Sequence, residues 1–549
     1  MNNINGEITA NLVDIKSRNV HYGKLTWQNG IITAIEHLGE ERPDQAYLTP
    51  GLIDAHVHIE SSMLTPSEFG RQAVCHGTVA TVSDPHEIAN VLGIEGVRFM
   101  LDSAKHSPCK IFYGAPSCVP ATPFETSGAN ISLEDIASLF DEPRVVALSE
   151  MMNFPGVLNS DAEVMAKLNL AKQRGYPVDG HAPGILGEAA RQYAQAGIST
   201  DHECFSLEEA RDKIAAGMVV QIREGSAARN FEALHPLITE SPAQVMLCSD
   251  DKHPDDLVAG HINRIAARAI SAGHDRFDTL RCICLTPVEH YHLPVGLLQL
   301  GDPMDAVLFT DLKTFSPITT YVDGIEVASE GECLIVSHKD PAINRFSANK
   351  ICADELRIAD EGAKKIRVIH AVDGELVTQQ TSMSPNVVGQ TIEPDPERDL
   401  LLLMVLNRYQ AEAKPAMAFV SGFGLTRGAL ASTVAHDSHN LIAVGCSREE
   451  IALAVNTLIE SRGGIAVCDE ESIQSLALPV AGLMSPEPAT FVGQRYSEMD
   501  HAAKALGSSL RAPYMTLSFM ALLVIPELKL SDKGLFDGKQ FSFVPLAVE

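Results

Sequence analysis

The sequence predicts an α/β protein built on a TIM-like (β/α)8 barrel, with a small flanking β-sandwich domain and a C-terminal α+β domain. Three observations predict it. From about residue 50 to 255, short Val- and Ile-rich runs alternate with stretches of helical period, eight times over, as in a (β/α)8 barrel. Polar, chemically capable residues collect where those apolar runs end, the end at which barrel active sites lie. The chain's 549 residues exceed what one hydrophobic core serves, so two or three domains are expected. A doubly wound open sheet competes, but it seldom has so many units.

Residues 1–49 form the N-terminal part of the small β domain. "GKLTWQNGIITAIEHL" reads as two strands about an Asn-Gly turn. Residues 50–284 are the barrel. Its strands are "GLIDAHVHI", "GTVATVSD", "KIFYGAP", "RVVALSE", "YPVDGHA", "GISTDHE", "GMVVQIRE" and "QVMLCSD". Between them lie helices such as "PSEFGRQAVCHG", "DAEVMAKLNLAKQRG" and "LEEARDKIAAG", several ending in the Gly expected just past a helix C-terminus. Residues 285–345 return to short strands and turns ("DAVLFTD", "TTYVDGIEVASEGECLI") and complete the small β domain. Residues 346–549 mix strands ("KKIRVIHAV", "PAMAFVSG", "GGIAVCD") with helices ("EEIALAVNTLIESRG").

Composition narrows the function. Hydrophobic residues make up 45% and charged residues 21%, ordinary for a globular protein, and the formal net charge is −29. That charge repels polynucleotides and anionic membranes and suits a small neutral ligand. The 11 Cys are scattered without a CxxC pair, which points to reduced thiols and a cytoplasmic protein. The first twenty residues carry no apolar signal core, and no apolar run reaches the roughly 18 residues of a membrane helix. A homodimer is the expected assembly.

The strand ends carry the chemistry. In "AHVHI", His56 and His58 lie one residue apart, and alternate strand residues point the same way. Strand four ends in Glu150, strand five in His181, strand six in His202 and strand eight in Asp250. A single strand-end His is more often a satisfied structural group than a ligand. Four imidazoles and two carboxylates at corresponding positions suit a divalent metal, or two bridged by a carboxylate.

"PGLIDAHVH", with later His, His and Asp at strand ends, resembles the amidohydrolase superfamily. Cyclic amidases of that superfamily bridge two metals with a carboxylated strand-four lysine. Here "RVVALSEMMNFPGV" places Glu150 there instead and holds no lysine. "HVHIESSMLTPSEFGRQAVCHGTVATVSDPHEIANVLG", "DGHAPG", "TDHECFS", "LCSDDKHPDDL" and "VAHDSHNLIAVG" together resemble the bacterial adenine deaminases over nearly the whole chain. The resemblance implies hydrolytic deamination of adenine to hypoxanthine and ammonia, in purine salvage. It further implies a binuclear centre of manganese, two per chain, with iron(II) or zinc as alternatives.

Such a reaction needs an activated water at C6 and an acid for the purine ring nitrogen N1. Asp250 is the expected proton carrier between water and the departing amine. Many deaminases of the superfamily place a Glu three residues after the strand-five His, but Gly184 stands there. The replacement expected is Glu87 in "SDPHE", with Asp84 as its helper; Asp84 and Pro85 otherwise read as a helix cap. Asp251 either accepts a hydrogen bond from the purine or faces solvent. Arg223 and Ser226 in "QIREGS" either contact substrate or, for Arg223, form an ion pair. His436, Asp437 and His439 either close the site, hold a further metal, or belong to a simple turn. Glu203 reads as a supporting or solvent-facing group.

The rivals are a cyclic-amide hydrolase of the dihydroorotase or hydantoinase kind and a non-catalytic metal-binding scaffold. The first prefers the missing lysine, and the second is expected to lose ligands that are all present. A cytidine-deaminase signature is absent, because no PCxxC follows His58-Ile-Glu60. "SGFGLTRG" lacks dinucleotide spacing.

Overall fold

The computed structural model describes residues 4–548. The ends of the small-domain and C-terminal segments, residues 1–3 and 549, lie outside the described residues, and with them the first three of the twenty residues in which no apolar signal core is expected.

The small domain is one eight-stranded sheet. Gly6–Asp14, Asn19–Gln28, Ile31–Glu40 and Tyr47–Pro50 join Ala306–Phe309, Pro317–Val322, Ile325–Ser329 and Glu332–Cys333. Tyr47–Pro50 is the splice, parallel to the first strand and antiparallel to Ala306–Phe309. Both hairpin turns use the dipeptides expected. Asn29-Gly30 and Asp323-Gly324 all have positive φ (50°, 79°, 49° and 75°), the requirement of a turn that matches strand twist. Trp27 and Tyr321 stand four strands apart in the sheet order, about 19 Å if it were flat, yet their ring centroids are 5.5 Å apart. The sandwich is therefore a single sheet folded over on itself.

Eight parallel strands form the barrel in sequence order: Leu52–Val57, Thr78–Ser83, Lys110–Ala115, Val145–Met151, Val178–Gly180, Thr200–Asp201, Val219–Arg223 and Val245–Cys248. Strands one to five and six to eight each make a continuous ladder. The seam between strands eight and one is closed where Asp250 N–H donates to the His56 carbonyl at 3.0 Å. Ser199 N–H donates to the Val178 carbonyl at 2.8 Å beside the other seam. Nearly all strand residues are buried, so the strands read as continuous apolar runs rather than alternations.

One boundary differs from the sequence reading. Residues 285–291 are helical, not strand-like: a π-helical turn at Arg281–Leu285 leads into Thr286–Tyr291, continuing the helix Arg276–Leu280. Pro287 is tolerated there because it follows a turn where the α-helical ladder is already interrupted, so its missing N–H costs little.

The C-terminal segment centres on a nine-stranded sheet. In its strand Leu401–Leu406, Leu402, Met404 and Leu406 pack with helix Arg448–Ser461, whereas Leu401, Leu403 and Val405 join the core shared with the barrel. Alternate residues thus bury both faces. That orientation carries the loop between Ala429–Ser432 and Leu441–Gly445 to the C-terminal end of the barrel strands. There the Asn440 amide donates to the carbonyl of Thr126 at 2.9 Å.

Candidate metal centre and its cavity

His56 and His58 share one side of strand one, with ring centroids 4.9 Å apart. Two residues earlier on the same side, Asp54 takes Ser249 N–H at 3.0 Å and lies 2.9 Å from His261 Nε2, bracing the strand from below. His58 Nδ1 sits 3.2 Å from the Asp84 carbonyl, a bond that puts its proton on Nδ1 and leaves the Nε2 lone pair facing the centre.

Glu150 divides the donors into two groups. Its Oε2 lies 3.0 Å from both His181 Nδ1 and His202 Nε2, while Oε1 lies 3.8 Å from His58 Nε2. Asp250 Oδ1 completes the strand-one side, 3.6 Å from His56 Nε2 and 3.3 Å from His58 Nε2. Its Oδ2 accepts from Arg223 Nη1 at 2.6 Å. Asp250 adopts left-handed backbone (φ 53°), a conformation that a non-glycine residue keeps only when its surroundings impose it.

Burial pushes the Glu150 carboxyl up, but His181 and His202 outweigh it and hold the group well below its ordinary range. Burial is likewise outweighed at Asp250, by Arg223 and then His56 and His58. His56 Nε2 is buried without a hydrogen-bond partner between the two carboxylates. Such a nitrogen is unfavourable unless a cation completes it. The donor set therefore fits a divalent metal ion, and Glu150 is placed to serve two.

The other residues singled out in the sequence divide sharply. Arg223 is spent on an ion pair: it grips Glu203 through both terminal guanidinium nitrogens and reaches Asp250. Glu203 is not solvent-facing; it is buried, 3.7 Å from His181 Nδ1 and 3.5 Å from His202 Nε2. Ser226 is turned away from the cavity, its hydroxyl donating to Asp256 at 2.6 Å and accepting His253 N–H at 2.9 Å. Asp251 does line the cavity, held at Oδ1 by the Ser61 hydroxyl at 2.5 Å. Asp84 accepts His86 N–H at 3.1 Å and lies 3.1 Å from His86 Nδ1.

The "HDSHN" loop is no simple turn, since His436 and Asp437 line the cavity and His439 lies behind them. Glu87 is not a free acid. One carboxylate oxygen is gripped by His436 Nδ1 and the other by His439 Nε2. Burial pushes its carboxyl up, but His436, His439 and His86 outweigh this and hold it well below the usual carboxylate range.

Two features escaped the sequence reading. His86 lies between Glu87, Glu150 and Asp437, its Nδ1 3.5 Å from Glu150 Oε1 and its Nε2 3.7 Å from Asp437 Oδ1; the motif "SDPHE" was its only signal. The C-terminal domain also roofs the cavity with Leu376, Phe519 and Leu522, apolar residues that nothing local distinguishes from core.

The sequence pattern of the amidohydrolase family matches residues 47–327, and that of the adenine deaminase C-terminal domain matches residues 375–542. A protein of Salinibacter ruber named adenine deaminase is 51% identical over 544 residues, covering 99% of this chain and 99% of its own. Adenine deaminases of Methanosarcina mazei and a Sulfurovum species are each 50% identical, covering 97% and 98% of this chain and 98% and 99% of theirs.

Proposed function

Because the chain belongs to the adenine deaminase family of the amidohydrolases, we propose that its buried centre deaminates adenine to hypoxanthine and ammonia. The observation that carries this reading is the Glu150 carboxylate shared between the His56–His58–Asp250 group and the His181–His202 group. His56, His58, Glu150, His181, His202 and Asp250 are the ligands proposed, with manganese first among the metals, two per chain, and ferrous iron or zinc next. Two such ions supply Lewis acidity that brings the ionisation of water down to roughly neutral pH.

The side chains do the rest. Asp250 Oδ2 is held by Arg223, so Oδ1 takes the proton from the attacking water and passes it to the departing amine. Arg223, itself fixed by Glu203, orients that carboxylate. Ser61 occupies Asp251 Oδ1 and leaves Oδ2 to accept a hydrogen bond from the purine. Leu376, Phe519 and Leu522 exclude water from the ring.

The reading carries purine salvage, a homodimer and a cytoplasmic location, the last supported by eleven free thiols. Among the described residues no helix is long and apolar enough to cross a membrane. The test is ammonia release from free adenine by protein reconstituted with manganese and its metal counted. Rapid conversion to hypoxanthine at two ions per chain is expected. A fully loaded protein that leaves adenine untouched would overturn the reading.

A further inference from the structure

We infer that the proton delivered to the purine ring comes from His436, a residue of the C-terminal domain, with Glu87 and His439 as its positioning residues. The inference rests on the deaminating reading above and names the acid that this reading lacks.

Water adding to C6 obliges the adjacent ring nitrogen to gain a proton. Four of the six carboxylates that line the cavity are already committed. Glu150 and Asp250 lie among imidazoles, Glu203 is tied at both oxygens by Arg223, and Glu87 is tied at both oxygens by His436 and His439. Among these groups the protons sit on nitrogen.

The tautomer of His439 follows from its neighbour. Its Nδ1 lies 3.2 Å from the backbone N–H of Ala435, which can only donate, so the ring proton of neutral His439 is on Nε2, directed at Glu87. A nitrogen that carries its proton is no metal ligand. Glu87, His436 and His439 thus form a hydrogen-bonded clamp rather than a third metal site. In that clamp Glu87 is fixed by His439 and in turn holds His436 by Nδ1. The opposite nitrogen of His436, Nε2, has no hydrogen-bond partner among the described residues, and the residue lines the cavity with its ring 5.5 Å from that of Phe519. A carboxylate that grips Nδ1 so that Nε2 handles the proton is the division of labour in a hydrolase triad.

Electrostatics agree with the geometry. Burial lowers the His436 pKa, but Glu87 and Asp251 outweigh it and raise it to about 9. Asp437 adds to the effect, while His439 on the same loop and His253 beyond strand eight are lowered chiefly by burial. His436 therefore enters the reaction as imidazolium.

The step balances. Water's oxygen bonds C6 while one of its protons passes to Asp250, and His436 Nε2 gives its proton to the ring nitrogen. The C6–N6 bond then breaks as the amine takes the Asp250 proton and leaves as ammonia. The C6 hydroxyl becomes the carbonyl, and its proton restores the imidazolium. Hypoxanthine keeps the proton on the ring nitrogen.

The test compares manganese-loaded wild type with His436→Asn, whose amide can still donate to Glu87 and so preserve the loop. With metal content unchanged, kcat on adenine is expected to fall by about 10²- to 10⁴-fold, the contribution of a positioned acid. His436→Ala should recover part of its rate on addition of imidazole. Glu87→Gln, a positioning change, should shift the alkaline limb of the kcat profile to lower pH rather than abolish turnover. Retention of kcat within about threefold by His436→Asn would overturn the inference. So would the loss of a third equivalent of metal from that variant, which would make the clamp a metal site. Wild-type turnover of adenine tests the deaminase reading separately, so the two failures are distinguishable.

Discussion

Lys529 offers a quantitative test of how the roof of the cavity is held. It is fully buried, and its ammonium donates to the carbonyls of Leu376 at 2.7 Å and Phe519 at 2.9 Å, two residues whose side chains face the site. Burial is the one cause acting on it, and it lowers the pKa from 10.5 to about 7. That fall corresponds to about 5 kcal/mol against the charged form. Because the folded pKa is the depressed one, the unfolded chain holds the proton more tightly. The penalty is therefore fully present below pH 7 and fades as pH rises toward 10.5. Between pH 6 and 9 the fold gains about 2.7 kcal/mol from this group alone. Lys529→Met removes the titration and leaves two carbonyls unpaired, at about 1–3 kcal/mol each and independently of pH. The stability advantage of wild type over the variant should therefore widen by about 2.7 kcal/mol from pH 6 to 9. Hydrogen–deuterium exchange over residues 375–380 and 517–530 in both proteins reads that difference, and subtraction cancels the intrinsic pH dependence of exchange. A gap that stays flat across the range would refute the reasoning.

Other outcomes follow from the same geometry. Glu150→Gln, which alters the carboxylate common to both donor groups, should drop metal content from two ions per chain to one or fewer by elemental analysis. Asp250→Asn should cut turnover by about 10³-fold or more while far-ultraviolet circular dichroism stays that of wild type. Phe519→Ala should raise KM for adenine about tenfold, the equivalent of about 1.4 kcal/mol of lost apolar contact, with a smaller change in kcat. Ser226→Ala, whose hydroxyl is turned to Asp256, should leave kcat/KM within about threefold of wild type in steady-state assays.

The barrel was legible because its rules are local. Each strand is a short buried run that needs only its own residues to be recognised, and the period of two puts His56 and His58 on one side before any partner is known. The strand-end rule then gathers Glu150, His181, His202 and Asp250 without reference to distance in the chain. The boundary at residue 285 differs from the structure because the helix runs on to Tyr291 through a π-helical turn at Arg281–Leu285, which has no simple apolar period. Arg223 and Ser226 were ambiguous for a related reason. Both end strand seven, and only the positions of Glu203 and Asp256 decide that one joins the ion pair beside the centre and the other faces away from the cavity.

The proton donor marks the limit of local reasoning. The chemistry demands an acid, and strand-end reasoning alone points to Glu87, whose two carboxylate oxygens are held by His436 and His439. What changes its role is a pair of imidazoles 349 and 352 residues away. They are delivered by a loop whose position depends on how a nine-stranded sheet docks on the barrel. Periodicity constrains which face of a strand is buried, but not where two separately folded sheets bring their loops together. The split has a chemical logic. The proposed metal ligands come from one continuous scaffold, where strand register alone can hold them to fractions of an ångström. The groups proposed to handle the purine straddle two domains, so the docking of the C-terminal sheet both roofs the cavity and brings His436 to Glu87. An acid carried by the roofing domain sits among the apolar residues that shield the cavity, an arrangement unavailable to a carboxylate fixed on a barrel strand.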